Sequence, residues 1–361
     1  MRRFFVDKTV LVTGHTGFKG SWLCHWLKRL GARVVGYSLP PPGMPNLFTL
    51  GHVAAGMTSV DGNVQDLPAL RAVFEKHHPD VVFHLAAQAL VRRSYREPVD
   101  TFSTNVMGTV NVLEACRLCE STRAVVIVTS DKCYENREWL WGYREDEPMG
   151  GHDPYSASKG CAELVVAAYR RSYPSKESSP GKGKAPAIAS ARAGNVIGGG
   201  DFAEDRLVPD IIRGIAAGEK IVIRNPYSIR PWQHVLDPLS GYLLLATRLW
   251  DEPEAHAEAW NFGPRDELSL PTGELGRRLC SLLGRGILEI ADDRPLAAFH
   301  EAASLKLDCS KALARLGWRA RLRIEDALEL TARFYRSYLE APESLQNLLH
   351  QQIDDYESRS G

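Results

Sequence analysis

The sequence predicts an α/β fold: a doubly wound parallel sheet with a smaller C-terminal α/β domain. Three observations carry that reading. A β-branched run at 9–13 passes directly into Gly14-His15-Thr16-Gly17-Phe18-Lys19-Gly20, and then into a helical pattern over 21–30. β-branched runs and helical patterns then alternate, as parallel strands joined by helical crossovers require. The apolar run 124–128 reads as a strand buried on both faces, and it ends in the polar word Thr129-Ser130-Asp131-Lys132-Cys133-Tyr134.

Composition sets the outer bounds. A chain of 361 residues suits two domains, or one large domain with an appendage. Hydrophobic residues make up 44% and charged residues 24%, ordinary values for a globular protein. Basic and acidic residues both total 44, so no net charge draws the chain to nucleic acid or to an anionic membrane. No apolar run reaches membrane-spanning length, and the N-terminus leads straight into a strand without a signal-peptide core. The seven cysteines are scattered without a framework, which reads as reduced thiols in a cytoplasmic protein. Cys116 and Cys119 form a C-x-x-C inside a helical pattern with no second pair, so packing is expected there and no metal site.

The elements follow in order. Strand, glycine turn and helix is the context of a dinucleotide-binding, Rossmann-like unit. The first glycine permits the tight turn, the second lets backbone N–H groups approach a pyrophosphate, and the third allows close helix packing. Lys19 either adds a charge near those phosphates or lies on the solvated face. The second strand, 32–37, ends at Tyr37 and Ser38, where a carboxylate would serve NAD and an arginine NADP. The missing arginine leans towards NAD. Pro40 to Pro45 is a surface loop, and 62–66 closes the next short strand. A helix over 67–76 precedes a strand over 80–87, which ends in the small residues Ala86 and Ala87 and so allows backbone to lie against a cofactor. A helix around 99–105 precedes the central strand. After Lys159 a helix continues through Val166, 175–184 reads as a mobile loop, and 187–192 is a further strand. The first domain is expected over 1–194. The second spans mainly 195–340, with some return to the sheet near Trp260. An amphipathic helix is expected over 324–339, and 341–361 as a peripheral tail.

The chemistry concentrates at the end of the central strand, because ligands bind at the carboxyl ends of strands in an open α/β sheet. Ser130, Asp131 and Lys132 present a hydroxyl, a carboxylate and an amine in succession. Tyr155 and Lys159 lie four apart, on one face of a helix. The lysine is expected to stabilise the phenolate and lower the tyrosine pKa towards that of a general base. Alone, each piece has a plainer reading: a Tyr-x-x-x-Lys match is common, Ser-Asp caps helices, and Lys132 pairs with Asp131 or lies in solvent.

In this order and context, the motifs resemble the nucleotide-sugar 4,6-dehydratases of the extended short-chain dehydrogenase/reductase superfamily, over nearly the whole chain. The resemblance rests on the glycine turn, His84-Leu85-Ala86-Ala87, Asn105, the Ser130 strand end, the Tyr155/Lys159 pair and Arg192-Ala193-Gly194-Asn195. More specific words resemble the branch that acts on CDP-sugars: 13–20, 129–134, 194–201, 230–237 and His300-Glu301-Ala302. Two positions depart from the wider family. Lys132 stands where relatives carry Glu, and Asn63 where many carry an Asp that faces adenine.

The resemblance implies NAD as cofactor, held by Gly14, His15, Thr16, Gly17, Phe18, Lys19, Gly20, Ser38, Asn63, Val64, Leu85, Ala86, Ala87, Asn105, Tyr155 and Lys159. It implies CDP-D-glucose as substrate, with Ser94, Asn195, Arg206 and Arg230 in contact with it and the two arginines at its diphosphate. Trp232 and Phe202 are open to base stacking or to core packing. Tyr155 is the implied base at C4, with Ser130 orienting the same oxygen and Lys159 holding the nicotinamide ribose. Asp131 is the implied acid for the departing C6 hydroxyl. Lys132 takes the C5 proton if neutral, or stabilises the enolate if charged. A homodimer and a place in deoxysugar synthesis are further implications. An epimerase of the same fold, or an NAD-binding regulator, is the alternative. The Asp131-Lys132 pair argues against the first, and the intact Ser130, Tyr155 and Lys159 against the second.

Overall fold

The computed structural model describes residues 2–41, 43–175, 185–223, 225–264, 269–290 and 305–359. Most of the expected mobile loop at 175–184, and His300-Glu301-Ala302, lie outside the described residues.

Seven strands form the central sheet: β1 (Thr9–Thr13), β2 (Arg33–Ser38), β3 (Thr58–Asp61), β4 (Val81–His84), β5 (Ala124–Val128), β6 (Ala187–Ala193) and β7 (Ala259–Phe262). All pairs are parallel, in the order β7-β6-β5-β4-β1-β2-β3. The chain winds outward from β1 through β2 and β3, then returns to β4 on the other side of β1. That reversal opens a crevice at the carboxyl ends of β1 and β4.

Side-chain alternation explains why both faces are covered. Val10 and Val12 of β1 point into one core with Trp22, Trp26, Leu239 and Leu243. Leu11 points to the other face, with Leu70, Phe74, Val112 and Val166. The helix Phe18–Arg29 thus covers one face, and the helices Leu67–His77, Gly108–Leu118 and Pro154–Ser172 cover the other.

The expected helix near 99–105 is more complex than its periodicity suggests. It begins at Pro98–Phe102, widens into a π-turn over Ser103–Met107, and runs on as Gly108–Leu118. The return to the sheet near Trp260 is β7, which pairs with β6 through Trp260 and Ala191. The helix Leu236–Asp251 also packs across β5 and β6, so the second lobe is interrupted by elements that belong to the sheet. That lobe contributes short two-stranded ribbons and the helices Leu207–Ala217 and Thr272–Leu283.

The expected peripheral tail is a correction. Residues Leu345–Ser358 form a helix with Leu345, Leu349, Ile353 and Tyr356 buried in the core that holds Trp22 and Trp26. Their spacing of four, four and three places them on one helical stripe, which explains the docking.

Candidate active site

The crevice is built first by glycines. Gly14 follows β1 with φ +74°, and a Cβ there would lie 2.7 Å from the Ala86 nitrogen. A Cβ on Gly20 would lie 2.1 Å from the Gly14 oxygen. Only glycine lets the turn, the β4 end and the following helix approach this closely. Thr13 Oγ1 fixes the β4 end by meeting His84 Nδ1 at 2.7 Å and accepting from the Ala86 nitrogen at 3.2 Å. The result is a narrow backbone cradle at a helix N-terminus, suited to a pyrophosphate.

The remaining expected cofactor residues divide by what their side chains do. Thr16 and Ser38 share a 2.9 Å hydrogen bond at the mouth of β2. His15 is buried against Gly36 and meets Ser59 Oγ at 2.7 Å; burial pushes its pKa down to about 4, so it is a neutral packing group. Asn63 spends its side-chain oxygen on the Gln65 nitrogen at 3.0 Å, and Val64 is a core residue packed near Gly108. Asn105 lies in the π-turn. It accepts from the Gln88 nitrogen at 2.9 Å and donates to the Gln88 carbonyl at 3.0 Å and to Ser158 Oγ at 2.8 Å. It therefore clamps the loop after β4 to the helix that carries Tyr155. Leu85, Ala86 and Ala87 are half-buried along that loop, and Phe18 and Lys19 begin the helix behind the turn.

The reactive strip lies at the end of β5. Ser130 is extended and caps the turn Asp131–Cys133 by accepting from the Lys132 nitrogen at 3.2 Å. Its hydroxyl donates to Asp131 Oδ1 at 2.9 Å. Asp131 is buried, and a Cβ on Gly194 would lie 2.7 Å from its other oxygen, so the glycine after β6 makes room for the carboxylate. Burial raises the Asp131 pKa, against the charges of Lys132, Lys19 and Arg230 and the Ser130 hydrogen bond. Lys132 is half-buried beside it. Cys133 is fully buried and burial drives its thiol far upward, which fits packing.

Tyr155 and Lys159 share the helix Pro154–Ser172, which Asp153 caps through the Ser156 nitrogen at 3.0 Å with Pro154 in the first turn. The expectation for Tyr155 is corrected in sign. Burial pushes its pKa up to about 12; the Ser130 hydrogen bond and the Arg206 charge oppose this, while Asp131 and Asp153 add to it. Lys159 is itself buried and brought down to about 8, with Glu163 opposing the fall. Its Nζ points to the Val128 carbonyl at 3.4 Å. The lysine charge is weakened by the same dry environment that protects the phenol.

On the far side, Arg206 stands just before the helix Leu207–Ala217 and pairs with buried Asp201 at 2.8 Å. Arg230 is buried and electrostatically close to Asp131. Asn195 accepts from the Gln233 nitrogen through its backbone carbonyl at 3.1 Å. Ser94 is fully buried, with its hydroxyl donating to the Val91 carbonyl at 2.6 Å. Trp232 and Phe202 both pack on the main core. Among the described residues no cluster of His, Cys, Asp or Glu is placed to hold a metal.

Sequence reasoning missed the support beneath the strip. Glu163, one turn past Lys159, accepts from Thr129, from Ser190 Oγ at 2.8 Å and from Arg192 Nη2 at 2.7 Å. Arg192 also donates to Tyr134 Oη at 2.7 Å, which donates to Asn261 Oδ1 at 2.7 Å. Burial works against ionised Glu163, but Arg192 and the hydroxyl donors outweigh it and lower its pKa. The i, i+4 spacing of Lys159 and Glu163 was the available signal.

Comparisons with known proteins place the chain in a family. A family model described as GDP-mannose 4,6 dehydratase matches residues 11–331. A CDP-glucose 4,6-dehydratase of Salmonella typhimurium is 48% identical, over 99% of this chain and 98% of that protein. A dTDP-glucose 4,6-dehydratase of Haemophilus influenzae is 27% identical over 90% of this chain and 97% of its own. Among solved structures, a Stenotrophomonas maltophila UDP-glucose-4-epimerase superposes with TM-score 0.79 at 23% identity, covering 93% of this chain and all of that one. A Bacillus anthracis dTDP-glucose 4,6-dehydratase in complex with NAD superposes with TM-score 0.75 at 21% identity, covering 95% of this chain and all of that one. With a family model spanning most of its length and a relative that matches it nearly end to end, the chain belongs to the nucleotide-sugar 4,6-dehydratases of the extended short-chain dehydrogenase/reductase superfamily.

Proposed function

We propose that this chain is a lyase that converts CDP-D-glucose to CDP-4-keto-6-deoxy-D-glucose, with NAD as a cofactor that ends each cycle unchanged. The observation that carries the reading is the Ser130-Asp131-Lys132 turn set beside Tyr155 and Lys159, in a chain 48% identical to a CDP-glucose 4,6-dehydratase.

The cradle fits the cofactor, since glycine at 14 and 20 lets the turn, the end of β4 and the helix N-terminus close up into a crevice lined by backbone N–H groups. The turn from Gly14 to Gly20, the loop of Leu85 to Ala87, and Lys159 are the groups that would hold it. Bound there, NAD supplies the acceptor for the C4 hydride, its return to C6, and a positive ring charge that favours the Tyr155 phenolate. The protein's own groups handle the protons. Tyr155 takes the C4 hydroxyl proton while Ser130 orients that oxygen. Asp131, whose pKa burial raises, gives its proton to the departing C6 hydroxyl. Lys132 serves C5: it takes the C5 proton in the elimination and returns a proton to C5 as the product forms. Arg230 and Arg206 face the diphosphate.

Two further statements belong to this reading. Val99, Phe102, Met107 and Leu164 are exposed on the helices that flank the site, an apolar face of the kind a homodimer covers. Sedimentation at micromolar concentration tests it: a dimer supports the assignment and a monomer removes it. The unbridged thiols suit the cytoplasm.

The activity test is incubation with CDP-glucose, dTDP-glucose, UDP-glucose and GDP-mannose in turn, with the product followed by mass. Loss of one water from CDP-glucose alone is the expected result. Water loss from a different nucleotide sugar alone would overturn the cytosine assignment, and water loss from none would overturn the dehydratase reading.

A further inference from the structure

Lys19 stands inside the glycine turn, where its charge has no role in shaping the cradle. It lies in the first turn of the helix Phe18–Arg29, half-buried, and makes no hydrogen bond or ion pair with any described residue. Its charged neighbours are Arg206, Asp131, Lys159 and Asp201. Lys159 and Asp131 belong to the catalytic helix and the β5 turn; Arg206 and Asp201 belong to the second lobe. The two lobes touch here: a Cβ on Gly198 would meet Phe18 Cζ at 3.3 Å.

The carboxylates around Lys19 each have a hydrogen-bond partner of their own. Asp201 is held by Arg206 at 2.8 Å and by the Ala203 nitrogen at 3.1 Å. Asp131 Oδ1 takes the Ser130 hydroxyl. Burial is the largest cause that brings the Lys19 pKa down to about 8; Arg206 and Lys159 add to the fall, and Asp131 and Asp201 oppose it. A half-buried cation with two others in its electrostatic surroundings is relieved by an anion entering the crevice. Two diphosphates could enter. A cofactor pyrophosphate seats on backbone N–H groups of the turn and needs no side chain there. The groups that surround the Lys19 charge belong instead to the catalytic strip and to the loop that carries Arg206.

We propose that Lys19 is a substrate ligand, completing with Arg206 the cationic clamp on the diphosphate of the nucleotide sugar. This rests on the nucleotide-sugar reading above. It gives the turn two functions: its backbone serves the cofactor and its one cationic side chain serves the substrate.

The test titrates CDP into NAD-loaded protein by calorimetry, and in parallel measures NAD affinity, for wild type, Lys19→Met and Lys19→Arg. Losing a charge-assisted contact weakens binding by about 10- to 100-fold. The expected result is CDP weakened by that factor in Lys19→Met, with NAD affinity changed less than about threefold, and CDP binding largely restored in Lys19→Arg. A loss confined to NAD, an equal loss of both, or no loss of either overturns the proposal. A thermal melt of Lys19→Met that matches wild type shows that a loss is local. If wild type binds UDP or dTDP and ignores CDP, the cytosine reading fails, and the same Lys19 comparison with that nucleotide decides the proposal.

Discussion

Burial acts on Asp131 and Tyr155 in the same direction, and the chemistry uses the two shifts differently. For Asp131 the rise helps, because a general acid must hold its proton until the C6 hydroxyl leaves. For Tyr155 the rise to about 12 opposes base function, so the phenolate depends on charge brought by the bound ligands. Asp131→Asn is therefore expected to spare C4 oxidation and stop the elimination. The turnover rate should fall by about 10²–10⁴-fold, and reduced cofactor should accumulate on adding substrate, visible by its near-ultraviolet absorbance. A variant that loses turnover without accumulating reduced cofactor would place Asp131 before the oxidation step instead. The pH dependence has a definite sign: the acid works below its raised pKa and is lost as pH climbs through it. The wild-type elimination rate should decline on the alkaline side, and the residual rate of Asp131→Asn should lack that limb.

At the scale of elements, the site is held by a buried polar lattice. Glu163 ties the catalytic helix to Thr129 at the β5 end and to Ser190 and Arg192 of β6. Breaking a buried pair leaves an uncompensated charge, so Glu163→Gln is expected to cost about 3 kcal/mol in a denaturant titration. The double variant Glu163→Gln/Arg192→Met should cost less than the sum of the singles, because the stranded guanidinium is gone. Additive losses would mean that the two groups act separately. Gly14→Ala is expected to abolish NAD retention, since its φ of +74° and the Ala86 backbone leave no room for a methyl group. These features show what sequence could convey. β1 and β5 were legible to the residue, because β-branched runs bounded by turns mark buried strands. The Tyr155/Lys159 helix was legible from its spacing together with the glycine turn and the Ser130 strand end before it. The sign of the Tyr155 shift was not, because a neighbour's charge can be read from sequence but depth of burial cannot. The π-turn at Asn105 was hidden as well, since one extra residue in a helical turn leaves the hydrophobic pattern nearly intact.

The whole molecule is closed by its last helix. Tyr356 Oη donates to Asp237 Oδ1 and lies 2.9 Å from both that oxygen and Ser240 Oγ, which also accepts from Trp318 Nε1 at 2.9 Å. The Arg321 nitrogen donates to the same Asp237 oxygen at 2.7 Å. Asp237 is fully buried, and its second oxygen has no partner among the described residues. Burial raises its pKa from 3.8 to about 6, against the hydrogen bonds from Arg321, Tyr356 and Leu322. A carboxyl whose folded pKa lies above its unfolded value favours the fold when protonated. Its contribution is complete below the unfolded value and is lost as pH rises through the folded one. The difference in stability between wild type and Asp237→Asn isolates this group, because the amide is uncharged throughout. Measured by denaturant titration from pH 4 to pH 8, wild type should lose ground to the variant by up to about 3 kcal/mol, mostly between pH 4 and pH 6. A flat difference would mean that the carboxylate stays ionised in the fold, satisfied by its three donors. A difference of opposite slope would mean that those donors outweigh burial, and that Asp237 anchors the helix as an anion.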